Sequence, residues 1–221
     1  MPGSVVQSAA KVSGFGASVT VTFPGSTPVT NGNSITLKMY KGADAVSVTS
    51  VADNTSTALN PDLSTSLETD NEAMYYSLHG ITDGPISVTI NFSGSVNYTI
   101  FMDEVFGITS TVVQTIVATA DGAGFATAHS WAYTAANAED FGTFLGGIYT
   151  GFVDATATAT GNTVMQDTGA QFSAVCYEFA PASGANSATF NLDNTRQCNY
   201  SGVVYAAAAA GGGIYLPWTR A

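Results

Sequence analysis

The sequence predicts an all-β fold, specifically a two-sheet antiparallel β-sandwich of jelly-roll type. Three observations carry the prediction. Apolar and polar residues alternate with period two along most of the chain, and helical periodicity is nearly absent. The alternating runs are short and are separated by clusters of turn-forming residues. A weak internal repeat relates the two halves of the 221 residues at an offset near one hundred.

The alternation is clearest in Ser18-Val19-Thr20-Val21-Thr22-Phe23, Ser34-Ile35-Thr36-Leu37-Lys38-Met39 and Ser87-Val88-Thr89-Ile90-Asn91-Phe92. Neighbouring strand side chains point to opposite faces, so each run predicts a sheet with one apolar face and one face toward water. The β-branched residues fit a pleated, half-buried surface. Between the runs lie Pro24-Gly25-Ser26, Asn31-Gly32-Asn33, Thr82-Asp83-Gly84-Pro85, Ser93-Gly94-Ser95 and Ala182-Ser183-Gly184, whose residue types favour tight turns. One helical turn is predicted over residues 135–141, where Ala, Glu and Asp cluster. Residues 206–210 are rich in alanine but continue Tyr200-Ser201-Gly202-Val203-Val204-Tyr205, and read as a strand end.

The first copy of the repeat runs through Asp53-Asn54-Thr55, Met74-Tyr75-Tyr76-Ser77-Leu78, Thr89-Ile90-Asn91-Phe92 and Asn97-Tyr98-Thr99. The second runs through Gly161-Asn162-Thr163, Val175-Cys176-Tyr177-Glu178-Phe179, Thr189-Phe190-Asn191-Leu192 and Asn199-Tyr200-Ser201. Each copy supplies about four strands, too few to close a core alone. The halves, about 17–108 and 109–210, are therefore expected to interleave in one eight-stranded double sheet, a single domain over 1–210. Two tandem sandwiches are the alternative. The stretch 107–134 carries its own β pattern, Val112-Val113-Gln114-Thr115-Ile116-Val117, and is no linker.

Gly32-Asn33, Asp53-Asn54-Thr55, Met74-Tyr75-Tyr76, Val88-Thr89-Ile90-Asn91-Phe92 and Glu104-Val105-Phe106-Gly107 follow one another in an order that resembles a family of uncharacterised bacterial and phage β-sandwich proteins. That family's pattern is Gly-Asn, an Asn-Thr turn, an aromatic strand, Val-Thr-Val-x-Phe and a Glu-Tyr-Ser-Gly close. The match covers roughly residues 28–108, with an echo in 137–208. It departs where no Gly precedes Asn54 and where Val-Phe replaces Tyr-Ser. The resemblance implies a sandwich in a viral or surface context and implies no chemistry.

Charged residues are 10% of the chain, against a usual ~25%. Ser, Thr, Asn and Gly must then cover the surface, which suits assembled or extracellular proteins. Five basic residues, Lys11, Lys38, Lys41, Arg196 and Arg220, face sixteen carboxylates, for a formal charge of −11. Nucleic acid and anionic membranes are bound through clustered Lys and Arg, so neither is an expected partner. Met1-Pro2-Gly3-Ser4 lacks the basic and apolar regions of a secretory signal, and no apolar run approaches the ~20 residues of a spanning helix. The expected location is a virion, with an extracellular or cell-surface setting as the alternative.

No catalytic, cofactor or metal site is expected. His79 and His129 are isolated in sequence, and no Gly-x-Ser-x-Gly elbow or phosphate loop occurs. Cys176 and Cys198 lack zinc-ligand spacing; they read as buried thiols, with a disulfide open on parity. Asp103 and Glu104 adjoin on a strand and so point to opposite faces; an inward Glu104 needs a partner, which a loop hydrogen bond at the strand end would supply. Glu68-Thr69-Asp70-Asn71-Glu72 lacks the spaced pattern of a calcium loop and reads as a solvated acidic turn.

Two features point to binding. Tyr75 and Tyr76 are consecutive, so one is expected to face water as a candidate glycan platform, among aromatics that include Tyr98, Trp131 and Tyr133. After Gly211-Gly212-Gly213, the segment Ile214-Tyr215-Leu216-Pro217-Trp218 is apolar and aromatic. It reads either as an arm that docks on a neighbouring subunit, within a hinged extension over 211–221, or as a tail folded on its own sandwich. The expected function is a non-enzymatic structural protein of a virus particle or surface coat: a capsid decoration, capsid or fibre-associated subunit. Its expected partners are copies of itself, as a homo-oligomer, and other coat or capsid proteins. The alternative is a carbohydrate-binding or adhesive module.

Overall fold

A computed structural model describes residues 4–42, 45–68, 71–82, 84–120, 126–148, 157–159, 165–167, 172–179, 183–196 and 199–209. Within them the chain is all-β. Its first half supplies β1 (Ser4–Ser8), β2 (Val12–Thr22), β3 (Ser34–Gly42), β4 (Val48–Asp53), β5 (Asn60–Glu68), β6 (Asn71–Leu78) and β7 (Ser87–Phe106). The 20-residue β7 organises this half. Along one side it pairs with β1 (Ser4↔Phe106) and then β2 (Val12↔Ile100 to Thr22↔Ser87). Along the other it pairs with β3 (Ser34↔Val105 to Lys41↔Tyr98) and then β4 (Val48↔Phe92 to Asp53↔Val88). Beyond β3 lie β6 and β5. Bulges at Gly16/Ser18 and Val48/Ser50 lie where the partners change, and such insertions bend a ladder. The sheet thereby folds over on itself. Val19, Val21, Val51, Val88 and Ile90 of the bent end pack against Ile35, Leu37, Met39, Ile100 and Met102 in one buried cluster.

The second half supplies β8 (Ile108–Ala120), β9 (Ala126–Ala135), β10 (Phe141–Ile148), β11 (Ala157–Ala159), β12 (Met165–Asp167), β13 (Phe172–Phe179), β14 (Gly184–Arg196) and β15 (Asn199–Ala207). They form one sheet of order β12-β13-β10-β15-β8 and another of order β11-β14-β9. The pairing follows the first half. β10 lies between β13 and β15 as β3 lies between β6 and β7, and β14 lies between β9 and β11 as the bent end of β7 lies between β2 and β4. A cross-strand hydroxyl pair recurs at the same place: Thr20 Oγ1 to Thr89 Oγ1 at 2.9 Å, and Ser130 Oγ to Thr189 Oγ1 at 2.7 Å.

The expected interleaving of the halves is therefore corrected. Among the described residues every named ladder joins strands of the same half. The premise that one copy cannot close a core fails because the single sheet built on β7 folds over on itself, and the first cluster is built entirely from residues between Ala9 and Met102. Pairing of strands near in sequence also closes shorter loops. The halves meet at Gly107, whose positive φ of 80° makes the turn between β7 and β8.

The halves pack through the faces that their own cores leave free. Tyr40, Ala73, Tyr75, Phe101 and Val105 from β3, β6 and β7 share a buried cluster with Ile108, Phe141, Leu145, Val203 and Tyr205. The expectation of one wet face fails for the central strands, since β3 is buried at eight successive positions. On the far side of β10, Phe144 meets Tyr133 of β9 with ring centroids 5.3 Å apart. Gly202 of β15 is required there: a Cβ would lie 2.4 Å from the Phe144 ring.

Two local readings resolve differently. No helical turn forms over 135–141; residues 136–140 make a tight connection from β9 to β10. The Asp140 carboxylate accepts from the Asn137 N–H at 2.9 Å and the Ala207 N–H at 2.8 Å, which favours a turn over a helix. The stretch 107–134 does hold strands, β8 and β9, and the alanine run continues β15 as far as Ala207.

Candidate functional site

Among the described residues a cluster of buried polar groups lies on β3, β6 and β7. Thr36 pairs with Asp103 across the β3–β7 ladder, and Lys38 with Phe101, which places Lys38 diagonal to Asp103 on the face turned toward the second half. Lys38 and Asp103 form an ion pair with both side chains fully buried. Lys38 Nζ also donates to Thr36 Oγ1 at 3.1 Å, and Ser8 Oγ donates to Asp103. Burial pushes the Lys38 ammonium below its ordinary pKa, against the opposing pull of Asp103. Sequence reasoning missed this pair because Lys38, in an alternating strand, read as part of the wet face.

Glu104, one residue on, turns the other way. It accepts from Gln7 Nε2 at 2.7 Å, from the Thr30 N–H at 2.9 Å and from Asn33 Nδ2. The loop before β3 thus supplies the partners an inward Glu104 needs.

The candidate platform is corrected. Tyr75 is fully buried and Tyr76 is 7% exposed, because the second half covers the face of β6 that was expected to meet water. The Tyr75 hydroxyl donates to the Ser201 carbonyl at 2.8 Å, accepts from the Leu145 N–H at 2.9 Å and lies 3.0 Å from Ser201 Oγ. Burial raises its pKa. Tyr76 lies in the first core, and burial, with a smaller contribution from Glu72, pushes its pKa up to about 12. Neither ring offers a face to a sugar.

Beside Tyr75, a hydrogen-bonded chain crosses from one half to the other. The Tyr205 hydroxyl donates to Asp62 Oδ2 at 2.7 Å. Burial raises the Asp62 pKa, while hydrogen bonds from Tyr205 and Ser77 lower it less. His79 sits between two hydroxyls, with Nδ1 2.9 Å from Ser34 Oγ and Nε2 2.8 Å from Ser77 Oγ. Its ring lies 5.5 Å from that of Tyr205. Desolvation lowers the half-buried imidazole to about 4, so it is neutral at physiological pH. Ser34 and Ser77 are each 1% exposed. The two hydroxyls occupy both ring nitrogens, so the arrangement ties β3, β6 and β15 together.

His79 also edges an open cleft of about 160 Å³, lined by Asp53, Thr55, Thr57, Gly80 and Thr82. The Asp53 carboxylate is engaged there, accepting from the Thr55 N–H at 2.9 Å, Thr55 Oγ1 at 2.7 Å and the Thr57 N–H at 2.8 Å. Among the described residues no group of three His, Cys, Asp or Glu gathers as a metal site. Of the acidic segment 68–72, Glu72 stands in β6 opposite Lys41 and pairs with it at 2.9 Å.

Ile214, Tyr215, Leu216, Pro217 and Trp218 lie outside the described residues, as do Cys198 and the side chains of Cys176, His129 and Trp131. The large apolar side chains on the described surface are Val6, Phe15, Phe106 and Val117. Val6, Phe15 and Val117 sit on β1, β2 and β8, and Phe106 pairs with Ser4 of β1. No family model, curated protein or solved structure matches the chain.

Proposed function

We propose that this chain is a structural protein of a virus particle or surface coat, a jelly-roll-like subunit that works by associating with copies of itself and with other coat proteins. The observation that carries the reading is where chemistry is and is not offered to solvent. The buried ion pair, Tyr75, Tyr205 and His79 are engaged in contacts inside the fold. Large apolar groups instead reach the surface on β1, β2 and β8, in a chain with only 10% charged residues. Exposed apolar side chains mark an interaction surface where they form one contiguous patch. The internal repeat supports the same reading, because two copies of one strand order bury a face against each other within a single chain.

The experiment is to purify native particles or filaments that contain the protein and measure its copy number and symmetry by electron microscopy. Many copies in equivalent contact support the proposal. A monomeric protein absent from such particles, and bound specifically on a glycan array, replaces it with an adhesive module.

A further inference from the structure

Two lysines are buried among the described residues, and they are partnered differently. Lys41 pairs with Glu72, whose side chain keeps 30% of its surface exposed. Lys38 pairs with Asp103, and neither side chain has any exposure. The neighbours on that face are apolar or aromatic. Lys38 stands opposite Tyr75 in β6 and Phe101 in β7, and Asp103 lies between Phe101 and Val105 along one face of β7. Tyr75, Phe101 and Val105 belong to one buried apolar cluster. A primary amine and a carboxyl group are thus held in contact with water excluded from both.

Ionisation is what ordinarily keeps such a pair from condensing. An ammonium has no lone pair to attack with, and a carboxylate is a poor electrophile. Burial penalises charge. It pushes Lys38 below its ordinary pKa, with Asp103 pulling the other way. Passing one proton from Nζ to the carboxylate replaces the buried ion pair with a neutral amine and a neutral acid. The flanking hydroxyls hold both partners in place: Ser8 Oγ donates to Asp103 Oδ1, and Thr36 Oγ1 accepts from Lys38 Nζ at 3.1 Å.

We propose that Lys38 and Asp103 condense to an intramolecular amide bond that joins β3 to β7. The neutral Nζ attacks Cγ of the protonated Asp103 side chain, and negative charge develops on Oδ1, where the Ser8 hydroxyl already donates. The bond from Cγ to Oδ2 then breaks, and the departing hydroxyl takes a proton from the nitrogen and leaves as water. The products are one amide and one water, with no change of oxidation state. Lys38 and Asp103 are 65 residues apart, so the amide closes a long loop in the middle of the sheet and restricts the unfolded chain. Condensation follows folding: a newly folded chain holds the ion pair and an aged chain the amide, and the energetics of Lys38 and Asp103 substitutions refer to the newly folded chain. The inference is independent of the self-association reading.

The test is the intact mass of the full wild-type chain under denaturing conditions, sampled from cell-free synthesis onward, with tryptic mapping of the aged protein. The fraction lacking one water is expected to rise until it is most of the protein, and the digest to contain a branched peptide holding both Lys38 and Asp103. Lys38→Met and Asp103→Ala are expected to keep their full sequence mass. Wild type that stays at its full sequence mass on prolonged incubation, with Lys38 and Asp103 in separate peptides, overturns the proposal. So does a loss of water that persists in both variants. The branched peptide from wild type decides the matter even if a variant fails to fold.

Discussion

Replacing Tyr75 with phenylalanine removes one oxygen and leaves the packing of the ring in place. That oxygen joins the halves, bonding Ser201 and the Leu145 N–H at 2.8–2.9 Å across a sequence separation of 126 and 70 residues. All three residues are fully buried, so no water reaches the groups left behind. An unsatisfied buried donor or acceptor costs about 1–3 kcal/mol. Two are created, and the phenol's own desolvation is relieved, so Tyr75→Phe is expected to lose about 2–4 kcal/mol. Tyr76→Phe is the control. Its hydroxyl reaches only as far as the Met74 sulfur, at 4.0 Å, and the loss should be under about 1 kcal/mol. Urea unfolding followed by circular dichroism measures both. Equal losses, or a larger loss at Tyr76, would refute the assignment of Tyr75 to the contact between the halves.

Three further outcomes follow from the same structure. Lys38→Met strands Asp103 as a buried charge and should cost about 3–5 kcal/mol, while Lys38→Met with Asp103→Leu recovers most of it, read by the same urea titration. His79 has a folded pKa of about 4 against 6.5 unfolded, so its contribution is complete above pH 6.5 and falls as pH drops toward 4. Allowing for solvent at the half-buried ring, wild type should lose on the order of 1–2 kcal/mol more than His79→Gln over that window in paired melts. Removal of residues 211–221 should weaken assembly and leave the unfolding midpoint unchanged; intact assembly with a lowered midpoint returns the arm to its own sandwich.

The strands were legible because alternation reports which residues share a face. Val19 and Val21, Ile35, Leu37 and Met39, and Val88, Ile90 and Phe92 do meet in one core. The need of Glu104 for loop partners was legible for the same reason. What period two does not report is what covers the opposite face. Tyr40 and Tyr75 alternate as solvent-facing residues would, and residues of the second half lie over them. The repeat was visible in matched strands, but closure was not. It depends on β7 bending so that its one sheet folds over on itself, and no residue of Ser93-Gly94-Ser95 distinguishes a bend within a strand from a turn between two.

The central claim is that this chain works by association, and sedimentation velocity of the wild-type protein tests it most directly. The account predicts species at multiples of 22.6 kDa whose share grows with concentration. A single 22.6 kDa species at every concentration would contradict it.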